Sequence, residues 1–243
     1  MAPGQFALEP HKHTLQPIVT GATVIGVKYN GGVLIACDTL ACYGGQLRYK
    51  DVCRMKKVGN YTLLGASGEY SDFQHIGKLL DELDNDDFLY EDGSMMGPKQ
   101  YSSYIGRVMY NKRCKMNPLY NQLVVVGKKG NEPTHLAYVD HQGTYFEEDY
   151  IATGFGSYLA MPILRNEWSA DLSLDAAKAL VVKCLQVCFY RDVRAYNRIQ
   201  IGICDGENVT IGEPFAMEHF WGHSMWAEKR LQMDDKGQVG DTW

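Results

Sequence analysis

The feature that constrains this chain most is the order of its hydrophobic patterns: four strands, two helices, strands, two helices, strands. Thr23 to Tyr29 and Val33 to Thr39 are rich in β-branched and apolar residues and are joined by Asn30-Gly31-Gly32. That junction supplies the positive φ angles a tight hairpin needs. Val52 to Val58 and Tyr61 to Ala66 repeat the design around Gly59-Asn60. Ser71-Asp72-Phe73-Gln74 has the form of a capping box, and Phe73, Ile76, Leu79, Leu80 and Leu83 follow at helical spacing. A second helix is predicted after Pro98, from Lys99 to about Lys115. Strands follow at Gln122 to Lys128 and Thr134 to Asp140, then a turn at Gly143. Helices are predicted at Ser157 to Trp168 and Ser173 to Arg191, and strands at Ile199 to Cys204 and Val209 to Ile211. No strand–helix–strand alternation of the parallel kind occurs. The economical solution is an α+β fold, a four-layer αββα sandwich of two antiparallel sheets face to face with helices outside each.

With 243 residues, 45% of them apolar, one such sandwich has a full core available, and nothing forces a second domain. The segment 1–21 carries Pro3, Pro10 and Pro17 with little periodicity and reads as an extended leader outside the core. The residues from Pro214 onward are polar with isolated aromatics and read as a tail. The net charge of -5 is spread along the chain, which argues against a nucleic-acid binder with its basic stripe. Seven cysteines, an odd number without a Cys-x-x-Cys pair, read as reduced thiols of a cytoplasmic or nuclear protein. Cys184 and Cys188 fit a buried helix face better than a metal site. No basic start leads into an apolar run, and no stretch approaches 18 apolar residues, so neither secretion nor a membrane span is expected.

Familiar chemical motifs are incomplete. Gly154-Phe155-Gly156 lacks the third glycine of a dinucleotide turn, since Leu159 stands in its place. His219 and His223 have the spacing of a helical zinc pair, but Phe220 replaces the glutamate and Gly222 weakens a helix. Ser67 lacks a full nucleophile elbow. The acidic run Asp81, Glu82, Asp84, Asp86 and Asp87 reads as a solvated face. Asp192 is open between a site carboxylate and a helix-end ion-pair partner. No metal or cofactor is expected.

Three segments together carry a resemblance: Gly32-Val33-Leu34-Ile35-Ala36-Cys37-Asp38, Leu64-Gly65-Ala66-Ser67-Gly68 and Tyr190-Arg191-Asp192. At these intervals the chain resembles the proteasome beta-subunit family over about residues 20 to 212. Lys115-Met116-Asn117-Pro118 and the run from Ala152 to Ala160 narrow the likeness to one subtype, at the seventh position of the beta ring. The resemblance implies an N-terminal nucleophile hydrolase fold, which is a four-layer αββα sandwich. Active members expose an N-terminal threonine by self-cleavage after a glycine, and its α-amine serves as base for its own hydroxyl. An α-amine titrating near ~8 suits that task.

The resemblance places the nucleophile position at Ala22, directly after Gly21, and the lysine position at Arg54, whose pKa above ~12 bars it from proton transfer. Phe155 and Ala195 stand where active members carry serine. Asp38, Gly68 and Asp192 remain, so a vestigial site is expected. Self-cleavage at Gly21 is then impossible, and the likeness implies a cut between His13 and Thr14 by an active neighbour. That divides the chain into a removable segment 1–13, a core 14–213 and a tail 214–243. The implied role is a non-catalytic subunit among other beta and alpha subunits of a 28-subunit particle, cytoplasmic and nuclear, in ubiquitin-dependent protein degradation. Phe215, Phe220, Trp221, Trp226 and Trp243 are the candidate anchors of the tail in a partner's groove. Two alternatives remain open here: a threonine peptidase working through Thr23 after a shifted cut, and an isolated small-molecule-binding protein.

Overall fold

The computed structural model describes residues 16–90 and 95–220. Its strands and helices run, in chain order, β1 (Val19–Gly21), β2 (Val24–Tyr29), β3 (Gly32–Asp38), β4 (Ala41–Tyr43), β5 (Gln46–Tyr49), β6 (Met55–Val58) and β7 (Thr62–Glu69), then α1 (Tyr70–Leu89) and α2 (Pro98–Cys114). They continue with β8 (Asn121–Gly127), β9 (His135–Val139), β10 (Tyr145–Glu147) and β11 (Tyr150–Ala152), then α3 (Gly156–Leu159), α4 (Met161–Glu167) and α5 (Leu174–Arg191), and close with β12 (Arg198–Cys204), β13 (Val209–Ile211) and β14 (Phe215–Ala216).

One sheet runs β10-β9-β8-β7-β1-β4-β5, with β6 also on β7; the other runs β11-β2-β3-β12-β13, with β14 also on β12. Every pairing is antiparallel. The continuous apolar runs are explained by burial on both faces, because alternate residues of a strand serve different layers. In β3, Val33, Ile35 and Cys37 fill the space between the sheets, while Leu34 and Ala36 face α3 to α5. In β8, Val124 and Val126 point between the sheets, and Leu123 and Val125 meet α1 and α2. The result is the expected αββα sandwich.

Several boundaries differ from the sequence reading, each for a physical reason. The leader reaches the fold: β1 pairs with both β4 and β7, so residues 19–21 are sheet, not an approach to it. Glu69 holds it there, its carboxylate accepting from Ile18 N at 2.5 Å and Val19 N at 3.1 Å. The expected capping box does not form, because α1 begins at Tyr70 and Ser71 Oγ turns back to Glu69 Oε1 at 3.0 Å. The expected helix 157–168 is two short helices meeting at Ala160. Strands β4 and β5 were not expected: all four residues of β5 are exposed, so no burial pattern marks it. The polar stretch after Pro214 starts with structure, since Phe215 and Ala216 pair with β12 and Met217 is buried. Within the acidic run, Asp84 accepts from Tyr101 Oη at 2.6 Å and Asp87 from Met96 N at 2.8 Å, so that face is partly engaged.

Candidate functional site

The sandwich gathers Ala22, Asp38, Arg54, Gly68 and Asp192 at one end, each from a different element. The hairpin of β2 and β3 sets Asp38 at the end of β3, and the turn into β6 brings Arg54 across to it. Arg54 is 1% exposed and its guanidinium is fully engaged. Nε donates to Asp38 O (3.1 Å), Nη1 to Ala22 O (3.2 Å) and Ala66 O (3.0 Å), and Nη2 to Thr23 O (3.0 Å) and the Asp38 carboxylate. These are all five N–H donors an arginine owns. Burial pushes the Asp38 carboxyl up from its ordinary range, while the guanidinium of Arg54 and the amide of Tyr196 (3.0 Å) pull against that. Gly21 is glycine for the same reason: a Cβ there would stand 2.4 Å from Arg54 Cδ.

A side chain with every donor committed, and with no accessible neutral form, cannot shuttle a proton. Ala22 contributes only a methyl group. Thr23 is 2% exposed, and its hydroxyl accepts from Gly156 N at 2.9 Å on the face opposite the cleft wall formed by Ala22. A Cβ on Gly156 would lie 2.3 Å from Thr23 Cγ2, so the Gly154-Phe155-Gly156 turn is shaped to receive that threonine. Gly154 itself takes a φ of +58°, which glycine adopts without strain. Ser67 is likewise spent, donating to Gln122 O at 3.1 Å. Cys42 is buried, and burial pushes its thiol up, the reverse of what a nucleophile needs.

A cleft of about 290 Å³ opens beside Ala22, lined among others by Pro17, Gly68, Tyr120, Asn121, Asp192 and Arg194. Gly68 pairs in register with Gly21, so that edge of β7 is already partnered by β1. Gly68 also holds a φ of +92° with Tyr120 O 2.1 Å from where its Cβ would be. Asp192 ends α5; its Oδ1 accepts from Arg194 N at 2.9 Å, while Oδ2 is buried without a partner. Asn121 Oδ1 is in the same condition. Both oxygens are buried beneath the lining of the cleft, out of reach of a ligand in it.

Other predicted residues fall elsewhere. Phe215, in β14 beside β12, and Phe220, next to α5, are 43% and 72% exposed, with Phe220 N held by Tyr190 Oη at 2.7 Å. His13, Thr14, Trp221, Trp226 and Trp243 lie outside the described residues. Sequence reasoning missed Glu69 and the Thr23–Gly156 contact, for which partners 50 and 133 positions apart leave no local signal.

A family profile described as "Proteasome subunit" matches residues 18–204. "Proteasome subunit beta type-4" of Arabidopsis thaliana is 47% identical over 90% of this chain and 89% of its own length. The Xenopus laevis protein of the same name is 44% identical, covering 90% and 93%. "Proteasome subunit beta type-7" of Saccharomyces cerevisiae is 38% identical over 81% of this chain and 77% of its own.

Proposed function

Since this chain belongs to the proteasome subunit family, we propose that it is a non-catalytic beta subunit of the 20S core, completing the beta ring in a particle of 28 subunits. The observation that carries the reading is the Arg54 node: the position of the proton-handling lysine holds an arginine whose five donors are consumed by backbone carbonyls and Asp38. The place of the nucleophile holds the methyl of Ala22, and β1 already fills the slot between β4 and β7.

In this reading the site has become a structural rivet. Asp38 and Arg54 tie β3 to the turn before β6, and Arg54 fixes the carbonyls of Ala22 and Thr23, just past the Gly21–Ala22 bond that corresponds to the cut in active relatives. The leader is trimmed between His13 and Thr14 by a neighbouring active subunit. Phe215 and Phe220 begin an arm, continued by Trp221, Trp226 and Trp243, that holds the two beta rings together. The particle works in the cytoplasm and nucleus on ubiquitin-marked proteins.

The decisive measurement is the intact mass of this chain in the purified particle after treatment with a peptide epoxyketone that couples to terminal threonines. A mass that starts at Thr14 without an adduct is the expected result. An adduct on a chain starting at Thr23 would make it a peptidase and overturn the reading. Truncation at Pro214 is expected to loosen ring pairing; a particle of unchanged salt resistance would remove the arm from the proposal.

A further inference from the structure

The face of α2 that looks toward β10 has no part in the site described above, and it is built for a ligand of definite charge. Helix α2 carries Lys99, Arg107, Lys112 and Arg113 and no Asp or Glu, in a chain whose net charge is -5. Its neighbour α1 carries Asp72, Asp81, Glu82, Asp84, Asp86 and Asp87 against one Lys78. Yet none of the four α2 cations forms an ion pair among the described residues. Lys99 and Arg107 are exposed and border a groove of about 550 Å³ between α2 and β10, with Tyr110, Tyr145 and Glu147. Gly106 lies in its floor, and a Cβ added there would meet nothing within 4 Å.

The one carboxylate in the groove is turned to internal duties. Glu147 Oε1 accepts from Tyr145 Oη at 2.5 Å, and Oε2 faces His135 Nδ1 at 3.8 Å. The Tyr145 hydroxyl and, in smaller part, Lys99 hold that carboxylate below its ordinary range, but Lys99 forms no ion pair with it, so two cations face one carboxylate and the groove keeps a net positive charge. The second wall is equally open: β10 ends its sheet, so one side of its backbone meets no strand among the described residues. A sheet edge with unpaired N–H and C=O groups accepts an extended peptide as an added strand. Arg113, stacked 5.9 Å over the Tyr110 ring, extends the positive rim toward the end of the helix.

We infer that this groove is a docking site for an extended acidic peptide segment of a partner protein, which adds a strand to β10 and sets its carboxylates against Lys99 and Arg107. This goes beyond the proposed structural role and does not rest on it, because the groove shares no residue with the Ala22 cleft.

The test is fluorescence anisotropy of a fluorescein-labelled pentapeptide of alternating glutamate and valine, titrated with the full chain. Binding is expected, weakening as salt rises because exposed charges are screened. The double variant Lys99→Glu/Arg107→Glu should weaken it by about tenfold, the loss of two ion pairs on a groove rim. Gly106→Leu blocks the groove without burdening the fold, since leucine is the better helix former and the space is open. It should abolish binding while thermal melting stays at or above the parent. Absence of binding, unchanged affinity in either variant, or equal binding of a lysine-valine peptide would each overturn the proposal.

Discussion

Two buried polar clusters sit in opposite halves of the sandwich and solve the same problem differently. At the Ala22 end, Arg54 meets five acceptors with five donors, and Asp38 supplies the opposite charge. Under α2, Ser102 is fully buried and donates to Pro98 O at 2.5 Å, its Oγ standing 2.6 Å from His135 Nε2. Ser102 Oγ thus has two partners, the Pro98 carbonyl and His135 Nε2, while His135 Nδ1 faces Glu147 Oε2 at 3.8 Å. Burial holds the His135 pKa below its ordinary value, with Glu147 pulling it up only in part. The first cluster keeps a charge permanently and is closed to proton traffic. The second keeps a neutral group that acid can charge. The difference teaches that donor count, not burial, decides whether a buried polar group is inert.

The sharpest way to break this contrast is Arg54→Met. It leaves Asp38 buried without its counter-ion and should cost about 3–5 kcal/mol in urea unfolding at neutral pH. The loss should shrink as pH falls, because an uncompensated buried carboxyl binds its proton in the folded state at higher pH than in the unfolded one. Arg54→Lys keeps the charge but brings three donors to five contacts, and an expected cost of about 1–3 kcal/mol would show that the fork matters beyond its charge. Ser102→Ala strips His135 Nε2 of its hydrogen-bond partner and should cost about 1–2 kcal/mol. The smallest effect is the pH slope of the second cluster. Since the folded pKa of His135 is lowered, its contribution is full above the ordinary histidine value of ~6.5 and is lost as pH falls from there through the folded value. His135→Gln, made in a chain that keeps Arg54, should flatten that acid limb. An acid limb unchanged in His135→Gln would show that the second cluster is as inert as the first.

Most of the layered fold was legible in the chain because periodicity records burial. Strands such as β3 and β8 are apolar on both sides, and α5 buries Ala177, Val181, Cys184 and Cys188 on one face as their spacing predicts. The elements that escaped, β1, β4 and β5, are only three or four residues long; β5 is exposed throughout, and β1 is held by β7, far along the chain. The candidate site was half legible. Ala22, Asp38, Arg54 and Asp192 could be named through the resemblance, but the neutrality of that cluster toward chemistry depends on where carbonyls point.

The sequence by itself determined the layers, their order and the methyl side chain at residue 22, because side-chain polarity and period are local properties. Only the tertiary structure decided that Arg54 spends every donor, that β1 fills the slot beside β7, that Thr23 is turned into the core, and that the four cations of α2 form no ion pair among the described residues. Hydrogen bonds and ion pairs are contacts between residues tens of positions apart, and their strength depends on distance and angle in space. Spacing along the chain carries no record of either.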